Sequence, residues 1–367
     1  MVVRCPNIYN ALKTKALRKT CYTYQIEERY YANIRIALLR NNTALVSSLI
    51  RSAENKHDDF EINQAYNILF KPFDEQWLLK LSDSLIHSLF LGVLNELQED
   101  FILNTDGFKA EHGFVSIVAN DHEGFFITWL DGRNTVEKEE DGGHKPMTIR
   151  FAEITNAGDL INEIELDSSV CDCCQTSITN TDKGPLVVYR DRSDKEVRDI
   201  YVIRNIDNVW ETPVPVHNDE WVIYGCPVNG PKVVSNSNNL AVSWFTVSDG
   251  KPTVNISFSE FYGSSFGNPI KINDYDAIGR VDVAFLNEEE VLVSYMEGDD
   301  DGTYLRIKKV SIEGKVSEPI TISKIDSGRN TGVPQLEILD NEIFIVWTVF
   351  ENENNQLKTV KLSFKDI

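Results

Sequence analysis

Leu240-Ala241-Val242-Ser243-Trp244-Phe245 is a short, almost continuous apolar run closed by aromatic residues, with Asn238-Asn239 before it. A run of this length, rich in β-branched and aromatic residues, reads as a buried strand rather than a helix. The same pattern occurs as Phe125-Phe126-Ile127-Thr128-Trp129-Leu130-Asp131 and as Leu186-Val187-Val188-Tyr189-Arg190-Asp191. It returns as Val291-Leu292-Val293-Ser294-Tyr295-Met296 and as Ile343-Phe344-Ile345-Val346-Trp347-Thr348. Trp129, Tyr189, Trp244, Tyr295 and Trp347 follow one another at 60, 55, 51 and 52 residues. A period near 50 with several short strands in each repeat predicts an all-β chain of the β-propeller type. The aromatics are then core, and they identify the fold without carrying chemistry.

Five such repeats lie in residues 105–367, the predicted main propeller. Two weaker matches precede them, with Ser48 and Ser88 in the aromatic's place at spacings of 40 and 41 residues. Residues 43–104 therefore read as one or two reduced blades, for a predicted total of six blades, with seven as the alternative. Residues 1–42 read as a basic segment with weak helical periodicity. Residues 1–40 hold eight Lys/Arg against Glu27 and Glu28, whereas the whole chain carries a formal charge of −21. The acidic excess beyond residue 40 excludes a phosphate backbone as the expected partner. No apolar run reaches the length of a membrane span. The first residues show no apolar signal core, so a cytoplasmic location is the direct expectation.

A second feature sits at residues 259–270, Ser-Glu-Phe-Tyr-Gly-Ser-Ser-Phe-Gly-Asn-Pro-Ile. Ser259, Gly263 and Phe266 match the sialidase Asp box, S-x-D-x-G-x-x-F/W, and Phe261 stands where the Asp belongs. With EHGFVS (111–116), WLDGRNT (129–135), CDCCQT (171–176), YRDRS (189–193) and CPVNGP (226–231), the chain resembles bacterial sialidase-like propellers of the exo-α-sialidase, BNR-repeat kind. The likeness covers roughly residues 105–365, and the family's N-terminal Arg-Ile-Pro motif is missing. It implies an exported glycosidase acting on acidic, sialic-acid-type glycans, needing no cofactor, with its ligand in a central funnel and a monomeric state. It also implies arginines gripping a carboxylate in bidentate fashion, a Tyr nucleophile paired with an acid, and an Asp acid/base.

Residues of those types stand at or near strand ends: Arg133, Arg190, Arg192, Arg198, Arg280 and Arg329, beside Glu111, Asp131, Asp191, Asp199 and Asp282, with Tyr189 and Tyr201. The alternative is that Arg-Asp neighbours such as Arg190-Asp191-Arg192 brace loops, and that Asp131-Gly132-Arg133 is a turn. His112 reads as a general base, a metal ligand or a buried hydrogen-bonded histidine. The acid runs 137–141, 288–290 and 299–301 read as solvated loops. No Walker loop, Rossmann glycine pattern or HExxH helix is present.

The cysteines make a third class of function. Four of the six fall between residues 171 and 226, and Cys171-x-x-Cys174 has metal-ligand spacing with Cys173 as an extra thiol. Cys226 begins the next repeat, and equivalent positions of adjacent blades lie side by side. Cys171, Cys173, Cys174 and Cys226, with His112 from the preceding repeat, are expected to form a soft site for copper or zinc. A disulfide or inert thiols are the alternatives. A carboxylate-gripping arginine cluster would favour the hydrolase, and a thiol cluster a non-catalytic binder of glycan or soft metal.

Overall fold

The structure is a computed structural model that describes residues 106–120, 124–136, 145–155, 159–328, 331–339, 341–351 and 354–367. The basic segment 1–42, the reduced blades 43–104, the acid run 137–141 and Arg329 lie outside the described residues. The chain divides into two compact units: residues 1–105, 119–125 and 153–161 form one, and 106–118, 126–152 and 162–367 the other. In the first unit, Asn120 closes a turn by accepting from Gly124 N at 2.9 Å and donating to Glu153 at 3.0 Å.

The architecture is all-β, in antiparallel meanders. The first sheet runs β1 (His112–Ala119), β2 (Phe125–Asp131), β3 (Met147–Ile154) and β4 (Leu160–Val170). The second has β5 (Ser177–Thr181), β6 (Gly184–Arg190), β7 (Ile200–Ile206) and β8 (Val209–Trp210), with β9 (Val214–Pro215) also paired to β7. The third is β10 (Lys232–Asn236), β11 (Asn239–Thr246), β12 (Thr253–Ser259) and β13 (Ile270–Lys271). The fourth is β14 (Asp276–Phe285), β15 (Glu290–Asp299), β16 (Gly302–Ser311) and β17 (Ile320–Lys324). The last has three strands, β18 (Gln335–Leu339), β19 (Glu342–Glu351) and β20 (Asn354–Ser363).

Each periodic aromatic lies on the second strand of its sheet, and the first four of those strands are buried on both faces, β19 on one. Alternation with period two explains how. In β6, Val187 and Tyr189 pack with Leu130 and Ile149 of the first sheet, while Leu186 and Val188 pack with Val242 and Trp244 of the third. In β11, Ala241 and Phe245 turn the other way, onto Val283 and Tyr295 of the fourth sheet. In β15, Leu292 and Met296 meet Ile345 and Trp347 of the last. Tyr189, Trp244, Tyr295 and Trp347 therefore each face the sheet before their own. Each such side chain removed from water contributes about 1.5–3 kcal/mol.

The first strands run beside one another in chain order, β5 by β10, β10 by β14 and β14 by β18. Polar side chains stitch them. Ser177 Oγ accepts from Val233 N at 3.1 Å, and Asp282 Oδ2 accepts from Leu336 N at 2.9 Å. Ser116 on β1 accepts from Ile178 N at 3.1 Å. Lys232 on β10 reaches Gln335 on β18 at 3.2 Å, passing over β14. The polar tips of the buried aromatics are also held, mostly by carboxylates. Trp129 donates to Asp131 at 2.9 Å, Trp244 to Asp219 at 2.7 Å and Tyr189 to Asp167. Tyr295 lies 3.4 Å from Glu297, whereas the Trp347 indole N–H has no partner among the described residues.

Candidate metal centre

The thiol-bearing turn connects β4 to β5. Its first residue is fixed by backbone pairing, since Cys171 N donates to Arg190 O at 3.0 Å and Val170 bridges Asp191. Its far end is fixed by Thr176, whose hydroxyl donates to Phe114 O at 2.6 Å. Between them Asp172 accepts from Met147 N at 2.9 Å and from Arg192 Nη1 at 2.8 Å. So bracketed, the turn points three sulfurs at one another: Cys171 Sγ is 2.9 Å from Cys174 Sγ and 3.9 Å from Cys173 Sγ. All three lie within 4.8 Å of one another.

Cys226 arrives from the loop between β9 and β10. That loop seats directly on the turn: Gly230 N donates to Gln175 Oε1 at 2.8 Å, and a Cβ at Gly230 would stand 2.0 Å from Gln175 O. Only glycine allows this approach. The seating brings Cys226 near Cys173, outside the group of three sulfurs that lie within 4.8 Å of one another. Three of the four cysteines that the sequence singled out thus converge as free thiols, Cys171 and Cys174 buried and Cys173 half-buried, with the exposed Cys226 at their edge.

Arginines surround the cluster. Arg190, 1% exposed, donates to the carbonyls of Asn229 (3.0 Å), Arg198 (2.5 Å) and Phe245 (2.6 Å) and stacks 4.8 Å over Trp221. Arg198 binds Glu196 at 2.9 and 2.5 Å, and the nearby Cys171 sulfur also favours its charged form. Contacts with Cys173 and Cys174, and nearby Arg190, pull the Cys171 thiol down against the effect of burial. Cys173 is pushed up by its contact with Cys171, and Cys174 chiefly by burial. The three sulfurs thus differ in acidity beside two guanidiniums. A tetrahedral zinc thiolate has sulfurs about 3.8 Å apart, close to the Cys171–Cys173 separation. Opening the closer pair by roughly 1 Å would complete such a shell.

The remaining candidates go elsewhere. His112 does not join the sulfurs. Its ring, 8% exposed, lies between Asp131 Oδ2 (3.2 Å from Nδ1) and Asp106 Oδ2 (3.7 Å from Nε2). Asp131 is fully buried; despite that burial, Arg133 at 2.8 Å from each oxygen and the Trp129 N–H pull its carboxyl down to about 2. Arg133 also binds Glu163 at 2.9 Å and Asp106 at 3.2 Å. Glu111 is exposed and contributes its carbonyl to Gly132 N at 2.9 Å.

Tyr189 has the phenol-to-carboxylate pairing expected of a nucleophile, through Asp167, yet only 1% of it is exposed. Burial and Asp167 push its phenol up, which opposes attack. Burial and Asp167 also raise Asp191 to about 7. Arg192 is engaged by Asp172 and Glu196, and Asp199 by the backbone N–H groups of Glu220 and Trp221. Asp282 is buried beside Lys232 at 3.8 Å, and burial raises its carboxyl. Arg280 differs from the other arginines. It has a left-handed φ of 51°, donates Nη2 to Ser327 O at 3.0 Å, and leaves a buried Nη1 without a partner among the described residues. The Asp-box-like turn joins β12 to β13, with left-handed φ at Phe261, Tyr262 and Gly263.

Gln175, Asn229 and Asp167 complete this network, and sequence reasoning did not single them out. Asn229 Oδ1 accepts from Arg280 N at 2.7 Å, so CPVNGP links the thiol loop to β14. The Asn-Gly step inside that motif was the available signal.

No family model matches the chain, and no curated protein does. Solved structures do. An α-L-arabinofuranosidase catalytic domain (GH62) of Coprinopsis cinerea is 10% identical over 71% of this chain and 94% of its own, with a TM-score of 0.39. The Podospora anserina α-L-arabinofuranosidase, solved with cellotriose, is 11% identical over 70% and 92%, with a TM-score of 0.38. The Bombyx mori GH32 β-fructofuranosidase is 13% identical over 61% and 52%, with a TM-score of 0.37. These are glycosidases, loosely similar in chain path. At such scores the likeness carries no argument about activity, and membership of the sialidases is not shown.

Proposed function

We propose that this protein binds a soft metal ion, copper(I) or zinc, through Cys171, Cys173, Cys174 and Cys226. The carrying observation is the convergence of three free thiols in one turn, with a fourth brought beside them by a segment more than 50 residues later in sequence. Thiolate sulfur selects such ions over calcium or magnesium. Arg190 and Arg198 supply positive charge against the negative shell that four thiolates around one ion would create. The fold proposed for the chain is a β-propeller whose blades include the five described sheets. Elemental analysis of protein purified without chelator, beside Cys171→Ser/Cys174→Ser, tests the reading. Near one equivalent in the parent and little in the variant is expected. Less than about a tenth of an equivalent in the parent after anaerobic reconstitution overturns it.

A second reading keeps the glycan, and one observation favours it. A buried guanidinium nitrogen without a partner among the described residues, on a residue in strained left-handed backbone, marks Arg280 as a place where an acidic sugar's carboxylate would find a donor. Measurement of sialoside binding and cleavage by the parent and Arg280→Ala checks it. Equal binding by both proteins, or none by either, removes the glycan from consideration.

A further inference from the structure

The four thiols are not equivalent, and their differences suggest how an ion would enter and leave. We infer that Cys226 is a detachable ligand, the point at which the bound ion is exchanged with the thiolate of a partner protein or peptide. The inference rests on the metal reading above.

Three thiols belong to one turn whose backbone is tied at Cys171, Asp172 and Thr176, and two of them are almost inaccessible. A sulfur held this way cannot leave the ion without disturbing the strands on either side. Cys226 is placed differently. It is exposed, and its loop is held on either side of it rather than at it, by Ile223 N to Glu196 O at 3.0 Å before and by Asn229 and Gly230 after. The residues before it are open to solvent, with Tyr224 86% exposed and Val222 50% exposed. A wholly structural zinc site encloses all its ligands, whereas a site that exchanges keeps one position accessible. Here the accessible position carries a thiol beside an exposed aromatic, the surface against which a thiol-bearing peptide could lie.

In the exchange, the incoming thiolate forms a bond to the metal as the Cys226–metal bond breaks. The released Cys226 thiolate takes a proton from water, and the metal keeps its oxidation state. No oxidant or reductant is consumed. The inner three sulfurs hold the ion throughout, and copper(I) suits such an intermediate because it is a soft ion bound by thiolates.

The test uses the full chain, loaded anaerobically with copper(I), against Cys226→Ser and Cys173→Ser. Metal content after desalting, the rate of copper transfer to a cysteine-containing peptide, and the sites alkylated by limiting iodoacetamide are measured. The parent and Cys226→Ser are expected to keep about one equivalent each, with Cys226→Ser transferring roughly tenfold faster because its position is already open. Alkylation of the loaded parent should fall on Cys226 and leave the ion bound. Loss of copper from Cys226→Ser on desalting, equal transfer rates, or first alkylation at Cys171, Cys173 or Cys174 overturns the inference and leaves the metal reading intact. A parent that takes up no copper overturns the metal reading itself, and the inference with it.

Discussion

Two groups of metal-type ligands lie in the described residues, and they are built in opposite ways. Around His112, the donors of Asp106 and Asp131 stand within coordinating distance of the imidazole, yet Arg133 and Trp129 already occupy the Asp131 oxygens. Around Cys171, the sulfurs face chiefly one another and one guanidinium. Ligand identity and proximity are alike in the two places. The difference is whether the donor atoms are already engaged. A carboxylate bound by a fork of N–H groups is satisfied without an ion, whereas thiols that have chiefly one another for partners are not.

The largest expected effect separates the two groups directly. Cys171→Ser/Cys174→Ser should lose essentially all bound copper or zinc while His112→Ala keeps the parent's content, as measured by elemental analysis. Loss in both variants would mean that the groups act as one site. Next in size is Arg190→Met, which strips three buried carbonyls of a charged donor. It should destabilise the protein by about 3–5 kcal/mol in denaturant titration. Such a loss would sharpen the view that this arginine supports the thiol loops rather than a substrate.

The two regions also differ in their response to pH. Asp131 is held near 2 in the folded protein, below its ordinary 3.8, so its contribution is present above about pH 4 and disappears as pH falls toward 2. Asp191, beside the thiol turn, goes the other way. With its carboxyl raised to about 7, the folded state binds more protons than the unfolded one between pH 4 and 7, and stability falls as pH rises through that window. Asp191→Asn should therefore flatten the profile of Tm between pH 4 and 7 and raise it at pH 8. An unchanged slope would place the titration elsewhere. The smallest effect concerns the aromatic tips. Trp244→Phe leaves Asp219 without a buried donor and should cost about 1–3 kcal/mol, whereas Trp347→Phe, whose N–H has no partner, should cost less than about 1 kcal/mol beyond the change in packing.

The five aromatics were legible in the sequence because burial of a second strand, on both faces in four of the five sheets, leaves a near-continuous apolar run, and a repeated sheet spaces such runs evenly. The cysteine turn was legible from its own spacing. The arginines were not. Arg190-Asp191-Arg192 has the same local appearance whether its charges meet a ligand or a carbonyl, and only the return of Asn229 and Phe245 from later sheets decides the matter. His112 was misjudged for a related reason. Equivalent repeat positions predict neighbouring strands, but the His112 ring turned toward Asp131, on the adjacent strand of its own sheet.

The close approach at Gly230 carries a consequence for how the protein is made. Cys226 can meet Cys173 only when its loop has seated on Gln175, and a whole sheet separates the two segments in sequence. During synthesis the cysteine turn emerges well before its fourth sulfur. Until the second sheet has formed and the loop has docked, this turn offers an ion three sulfurs. Full occupancy of the site is thus a late event of biogenesis, and an ion bound by all four thiols would certify that this part of the chain had folded.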